Sequence, residues 1–255
     1  MNIVSFLIMI FLYTCMLIYP PVMPCQDISL YIQEGDQLWG KREDEKMVKS
    51  SINSYKHVLS MDPNNYEACW KIARAYFYLL DMLPETNEMK IRHKVLGNEG
   101  MRYGLLALTL DPGRIEGHYY YGLCVAEYTL GISRIRALRK GLASEFQNQM
   151  EESLKINRYY DSAGPLRALG RYWFRIPWPK RNLEKSIHYL NESVAFSPMN
   201  VRGHVYLAES YLKAGDKELA REHLNKALML PSNLKEEASV QRWKEQADVL
   251  LKKEF

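Results

Sequence analysis

The sequence predicts an all-α fold, a curved stack of helical hairpins closed by one C-terminal helix. Three observations predict it. One grid of small and larger apolar residues recurs along the chain. Gly is sparse, 14 in 255 residues, too few for the punctuation that long strand-and-turn folds need. The composition, 47% hydrophobic and 25% charged, is that of an ordinary folded chain. A net charge of +4 is mild and does not single out nucleic acid, which would need a concentrated basic face.

The grid is clearest in residues 201–231, where Leu207, Ala208, Tyr211, Gly215, Asp216, Ala220, Leu224, Ala227, Leu228 and Pro231 keep fixed spacing. This is the pattern of a tetratricopeptide unit, two antiparallel helices A and B. Its small residues let the helices approach, Gly-Asp makes the tight turn and Pro ends helix B.

Residues 1–26 stand apart. Ile3 to Tyr19 carries no charge, and Pro20-Pro21 stops any helix. The run lies between a signal-peptide core and a short membrane span. It is read as a cleaved signal, a lipid anchor at Cys15 or Cys25, or an uncleaved membrane anchor, with a buried core helix as the bland alternative. The first three place residues 27–255 outside the cytoplasm, exported and periplasmic or anchored facing the periplasm, and limit membrane contact to this segment.

The first hairpin, 28–65, takes Gly35 on helix A and Ser51, Tyr55, Val58, Leu59 and Pro63 on helix B. The second, 66–113, takes Ile72, Ala73 and Tyr76, then Gly100, Gly104, Ala107, Leu108 and Pro112, with extra residues around "MLPETNEMKIRHKV". The third, 115–160, takes Tyr121, Gly122, Ser153, Leu154 and Ile156 across a longer connection. The fourth, 163–199, takes Leu169, Gly170 and Trp173, then Ser186, Leu190, Ser193, Val194, Phe196 and Pro198. "MDPNN" and "LDPGR" punctuate the units. After the fifth, a helix over 234–253 is capped by Asn233, with Glu236 reaching back. Its many charges suit a solvent-facing end cap. The whole is a superhelical array of about five degenerate hairpins over residues 27–255, without an internal linker.

Nothing in the chain points to catalysis, a metal or a cofactor: there is no Walker loop, dinucleotide glycine loop, HExxH, CxxC or G-x-S-x-G. Adjacent carboxylates such as Glu151-Glu152 and Glu236-Glu237 do not face each other on a helix. His118, His204 and Cys69 share the fourth position of their A helices, which packs on the preceding hairpin. Cys69 and Cys124 read as small buried hydrophobes.

Positions two, five, nine, twelve and thirteen of each A helix point into the concave groove. They give Trp39; Trp70, Arg74, Phe77 and Tyr78; Tyr119, Leu123 and Glu127; Arg167, Arg171, Phe174 and Arg175; and Glu209, Leu212 and Lys213. Rings and guanidinium groups on one face suit an extended peptide or an apolar ligand with a carboxylate. The alternative is that the rings pack between neighbouring A helices. In "RYWFRIPWPKR", Trp173 takes the buried eleventh position and Trp178 tips a proline-stiffened turn. "RIRALRK", residues 134–140, is suited to anionic lipid or an acidic partner, or is a solvated helix start. The aromatics are not interleaved with basic residues on a sheet, which discounts RNA.

The stretch "DSAGPLRALGRYWFRIPWPKRNLEKSIHYLNESVAFSPMN", residues 161–200, resembles the T component (TatT type) of TRAP transporter systems. The resemblance implies a periplasmic accessory protein that binds the solute-binding subunit and takes a hydrophobic or organic-acid ligand in its concave face, with room for a homo-oligomer. A family of eukaryotic microtubule-regulating proteins, with a similar degenerate array, is a second resemblance. A general tetratricopeptide scaffold of the cell envelope, without a small-molecule role, is the alternative function.

Overall fold

The computed structural model describes residues 25–231 and 237–255. These form twelve helices and no strand. The predicted leader, apart from its last residues, and the Asn233–Glu236 cap lie outside the described residues. Helices α1 (Cys25–Trp39) and α2 (Glu45–Met61) make the first hairpin, and α3 (Tyr66–Asp81) and α4 (Lys90–Leu110) the second. The third is α5 (Ile115–Leu130) and α7 (Leu142–Asn157), with the short α6 (Arg134–Arg139) inside its connection. Then come α8 (Tyr160–Arg175) with α9 (Leu183–Phe196), α10 (Val201–Ala214) with α11 (Lys217–Met229), and the closing α12 (Glu237–Glu254). This is the predicted array of five hairpins and a C-terminal helix.

The helices start where the sequence supplies caps. Asn65, Asn182 and Asn200 each accept a backbone N–H three residues on, at 2.8–3.0 Å. That fills one of the orphan donors of a helix N-terminus. Gly215 ends α10 in the left-handed region, at φ 94°, as the predicted Gly-Asp turn requires. The fourth-position histidines share one use: His118 Nε2 lies 2.9 Å from the Pro112 carbonyl, and His204 Nε2 2.9 Å from that of Pro198. Each ring thus ties its A helix to the proline ending the previous hairpin. Cys69 and Cys124 are buried free thiols, and burial pushes the Cys69 thiol up to about 11.

Close approach is greatest between α4 and α5. A Cβ at Gly97 would sit 2.9 Å from Tyr128 Cα, and one at Gly104 2.8 Å from Tyr121 Cα. Two glycines seven residues apart share a helix face, so the backbones meet there without side chains between them.

The junction between α7 and α8 is sharper than the sequence shows. Asp161, Ser162 and Ala163 all have positive φ, 50°, 55° and 61°. The right-handed part of α8 begins after them, with Pro165 in its first turn, where its missing N–H costs nothing. Left-handed backbone costs about 1–2 kcal/mol per non-glycine residue. The turn is held by hydrogen bonds from Tyr119 to Asp161 (2.8 Å) and from Arg167 Nη1 to the Ser162 carbonyl (2.9 Å).

The main core runs from Val48 and Tyr55 through Ile72 and Tyr103 to Met150 and Leu169, so the first four hairpins share it. Leu190, Val194 and Leu207 join the fourth to the fifth, and Trp243 of α12 packs on Val201, Val205 and Ala208. The array also curls onto itself. Asp81, at the end of α3, pairs with Arg202 of α10 and with Arg242 of α12 (3.2 Å). Glu85, just beyond α3, takes both terminal nitrogens of Arg175.

Candidate binding site on the concave face

The concave face divides into two parts with different electrostatics. In the N-terminal part, Trp39 and Tyr78 meet edge to face at 5.4 Å between ring centres. The Arg74 guanidinium lies 4.2 Å from the Trp39 ring and 4.9 Å from the Trp70 ring. Trp70 stacks on Tyr120 (5.9 Å), which touches Tyr160 edge-on, as Tyr119 does. Burial pushes the Tyr160 hydroxyl up to about 12 and that of Tyr119 well above its usual range, so all stay neutral donors at ordinary pH.

Beside this wall, Lys71 Nζ is 2.6 Å from both Asp36 and Glu67, and Tyr55 donates to Asp36 at 2.8 Å. Among the described residues Arg74 has no ion-pair partner. Its Nε and Nη2, together with Trp70 Nε1, are buried donors with no hydrogen-bond acceptor among the described residues. Three such donors side by side are uncommon, because each unmet donor costs about 1–3 kcal/mol.

In the C-terminal part every guanidinium predicted for the groove has a protein partner. Arg171 pairs with Glu209 and lies over the Phe174 and Tyr206 rings, at 5.0 and 4.3 Å. Gln246 of α12 donates to the other Glu209 oxygen at 3.1 Å. Arg175 holds Glu85, whose carboxyl stays below its usual range because of that pair. Nearby, Glu127 faces His93 at 3.3 Å. Burial raises the Glu127 carboxyl, and its hydrogen bond to His93 raises the imidazole.

Of the residues predicted for the groove, Trp39, Trp70, Arg74, Phe77 and Tyr78 come together half-buried on the N-terminal wall. Tyr119 and Leu123 do not line it. They are 2% and 9% exposed and lie in the core, because α5 is rotated so that Tyr120 rather than Tyr119 meets Trp70. Arg167 does not project into open space: it reaches back to the 161–163 turn. Phe174 is half-buried beneath Arg171. Trp173 is half-buried rather than buried, with Lys185 Nζ 4.4 Å over its ring. Tyr160 and Tyr206, half-buried, belong to the face, and Tyr120, 7% exposed, backs it behind Trp70; none was among the predicted residues. The run Tyr119–Tyr121 held the signal for Tyr120 as the ring behind Trp70, but its register is ambiguous by one residue.

Among the described residues no group of three or more His, Cys, Asp or Glu side chains converges as a metal site. No described helix is long and apolar enough to cross a membrane.

The architecture has known counterparts. A tetratricopeptide protein of Thermus thermophilus superposes with a TM-score of 0.63 at 17% identity, covering 88% of this chain and all of that one. The pilF protein of Pseudomonas aeruginosa gives 0.54 at 15% identity, over 89% and 91% of the two chains. These likenesses show the fold. A tetratricopeptide-repeat model matches residues 202–233. Among sequence relatives, regulator of microtubule dynamics protein 1 of Pongo abelii is 22% identical over 227 residues, which is 82% of this chain and 68% of the relative. The protein of the same name in Bos taurus is 20% identical over 234 residues, 84% of this chain and 69% of that one. The model of the family "Regulator of microtubule dynamics protein 1-3" matches residues 31–177, more than half of the chain and most of the two-part concave face, and to that family the chain belongs.

Proposed function

We propose that the chain is a protein-interaction array whose N-terminal concave wall takes an extended, acidic segment of a partner, in the microtubule-regulating role its relatives are named for. The observation that carries this is the unmatched donor set of Trp70 Nε1 and Arg74 Nε and Nη2, set between two indole rings. A carboxylate flanked by peptide carbonyls supplies the acceptors the protein does not, and the rings add area at little side-chain entropy. In the C-terminal part Arg171 pairs with Glu209 and Arg175 with Glu85, which leaves one unmatched buried donor there, Arg171 Nε, against three at Trp70 and Arg74. Cosedimentation of the full chain with polymerised tubulin is the test. Arg74→Gln removes the charge and the fork of donors and leaves a shorter neutral amide. It should weaken binding by about tenfold or more, the scale of a buried interface arginine. Binding of the variant equal to that of the unaltered chain sinks the proposal.

A second reading is favoured by the uncharged run Ile3–Tyr19 and the residues 161–200: an exported accessory protein of a TRAP-type transporter. Its partner is the solute-binding subunit, and the same wall receives a hydrophobic or organic-acid ligand. The readings part on compartment. A tagged chain found outside the cytoplasm and copurifying with a solute-binding subunit supports the second; a cytoplasmic array on microtubules supports the first.

A further inference from the structure

The up-and-down stacking of hairpins puts every A-to-B connection on one edge of the array. Three of them are enlarged: residues 82–89, 131–141 and 176–182. They lie against one another. Gly131 leaves no room for a Cβ between itself and the Lys94 backbone, so the third connection abuts the start of α4. Glu85 in the second connection binds Arg175 at the base of the fourth. Tyr172, one turn before that base, stacks on Phe146 just beyond the third connection, at 5.4 Å.

This edge carries large apolar side chains at its tips. Trp178 is 84% and Leu138 78% exposed, and Ile91 and Ile135 are each more than half exposed. Basic residues flank all of them. The guanidinium groups of Arg134, Arg136 and Arg139 on α6 make no hydrogen bond or ion pair with any described residue, and Lys180 and Arg181 follow Trp178. Residues 131–141 and 176–182 contain no acidic residue. In 82–89, Glu85 is paired with Arg175 and Glu88 is an exposed carboxylate, so the positive charge of the edge is that of the third and fourth connections.

We propose that this edge docks on the surface of an anionic lipid bilayer, with Trp178, Leu138 and Ile135 entering the headgroup boundary and the arginines of α6 meeting lipid phosphates. Charge complementarity requires an anionic partner. The apolar tips select a bilayer over an acidic protein. Ile135 and Leu138 share α6, three residues apart, and Trp178 stands on another connection; each has a basic residue beside it in sequence, the arrangement an interface that is polar outside and apolar beneath accepts. Trp is the aromatic that favours this depth. The docking is independent of the Ile3–Tyr19 run and of the concave wall, and it extends membrane contact beyond the N-terminal segment.

The test uses the full chain with vesicles of phosphatidylcholine alone or with about one lipid in three replaced by phosphatidylserine. The unaltered chain should bind the anionic vesicles roughly tenfold or more tightly, with the preference falling as salt rises. The triple variant Arg134→Gln, Arg136→Gln, Arg139→Gln should lose most of that preference. Trp178→Ser should weaken binding at every lipid composition and remove a blue shift in tryptophan fluorescence that the unaltered chain shows on anionic vesicles. These side chains are exposed, so an unchanged far-UV spectrum and melting temperature establish that each variant is folded. Equal binding to neutral and anionic vesicles, or triple-variant binding equal to that of the unaltered chain, overturns the proposal. So does binding to poly-glutamate without binding to anionic vesicles, which would assign the edge to an acidic protein.

Discussion

The Nδ1 atoms of His204 and His223 lie 3.0 Å apart, both rings buried between α10 and α11. Because His204 Nε2 faces the Pro198 carbonyl at 2.9 Å, it carries the proton, and its Nδ1 accepts from Nδ1–H of His223. A first proton has only His223 Nε2 to enter and keeps this bond, but it puts a charge between buried rings; a second would set one N–H against another. Burial, and then the charge of His204 and of Lys226, pushes His223 down to about 4, while Glu222 opposes the shift; burial also lowers His204.

The sign of the resulting pH dependence is fixed. Both folded-state values lie below the ordinary 6.5, so below pH 6.5 the unfolded chain binds protons that the native chain does not. Stability is therefore full above pH 6.5 and falls as the pH drops toward 4, by on the order of 2–3 kcal/mol. His93 does not mask this. Its hydrogen bond with Glu127 raises it, so its share is fully present below 6.5 and is lost only on the alkaline side. Urea midpoints measured from pH 7 to 4 should show the fall, and His223→Gln should flatten it. A slope unchanged in that variant would assign the effect elsewhere.

Asp81 should act as the clasp of the superhelix. Its carboxylate is 14% exposed and serves Arg202 and Arg242, from two helices far along the chain. Removing one member of a buried ion-pair cluster leaves the others uncompensated and typically costs about 3–5 kcal/mol. The Arg242 side of the cluster, about one-third exposed, lowers that toward about 2 kcal/mol here. Asp81→Asn should lower the denaturation midpoint and raise the radius of gyration in solution scattering, as the C-terminal hairpins swing away from α3. A destabilised variant with unchanged dimensions would show a stability role without a clasp.

The repeat explains why the fold was legible and the site only in part. Leu207, Ala208, Gly215 and Ala220 report short-range contacts within one hairpin and its neighbour, and such contacts sit at fixed spacing in sequence. The partners of Arg171 and Arg175 are set by something else. Glu209 lies on the next A helix, but Glu85 sits in an insertion ninety residues away and arrives only through the curvature of the whole stack. Curvature sums small rotations between hairpins, and no local pattern encodes the sum. The same holds for Tyr119 and Leu123, whose burial follows from the rotation of α5. It holds too for Asp161–Ala163, three non-glycine residues in a conformation that sequence rules assign to glycine.

Gly104→Ala should be costly despite being a change that favours helix in isolation. The new methyl would lie 2.8 Å from Tyr121 Cα and 2.9 Å from its Cβ, against backbone that cannot rotate away. Relief requires α4 and α5 to separate, loosening the core around Tyr103 and Tyr76. Overpacking of this kind costs about 1–3 kcal/mol, more than the roughly 1 kcal/mol gained in helix propensity. Thermal unfolding should show a net drop in melting temperature.

Ser162→Gly should do the opposite. Ser162 is exposed, at φ 55° and ψ 51°, and its carbonyl, which a glycine keeps, accepts from Arg167. Glycine relieves about 1–2 kcal/mol of left-handed strain and gives back roughly 0.5–1 kcal/mol in unfolded-state entropy. A net gain of about 0.5–1 kcal/mol follows, visible as a small rise in melting temperature. Ala163→Gly adds the same backbone relief but loses a methyl that is 0% exposed, so its gain should be smaller or absent. If both variants are equally destabilised, strain at this turn does not limit stability, and the Tyr119–Asp161 and Arg167–Ser162 hydrogen bonds alone hold α8 in place.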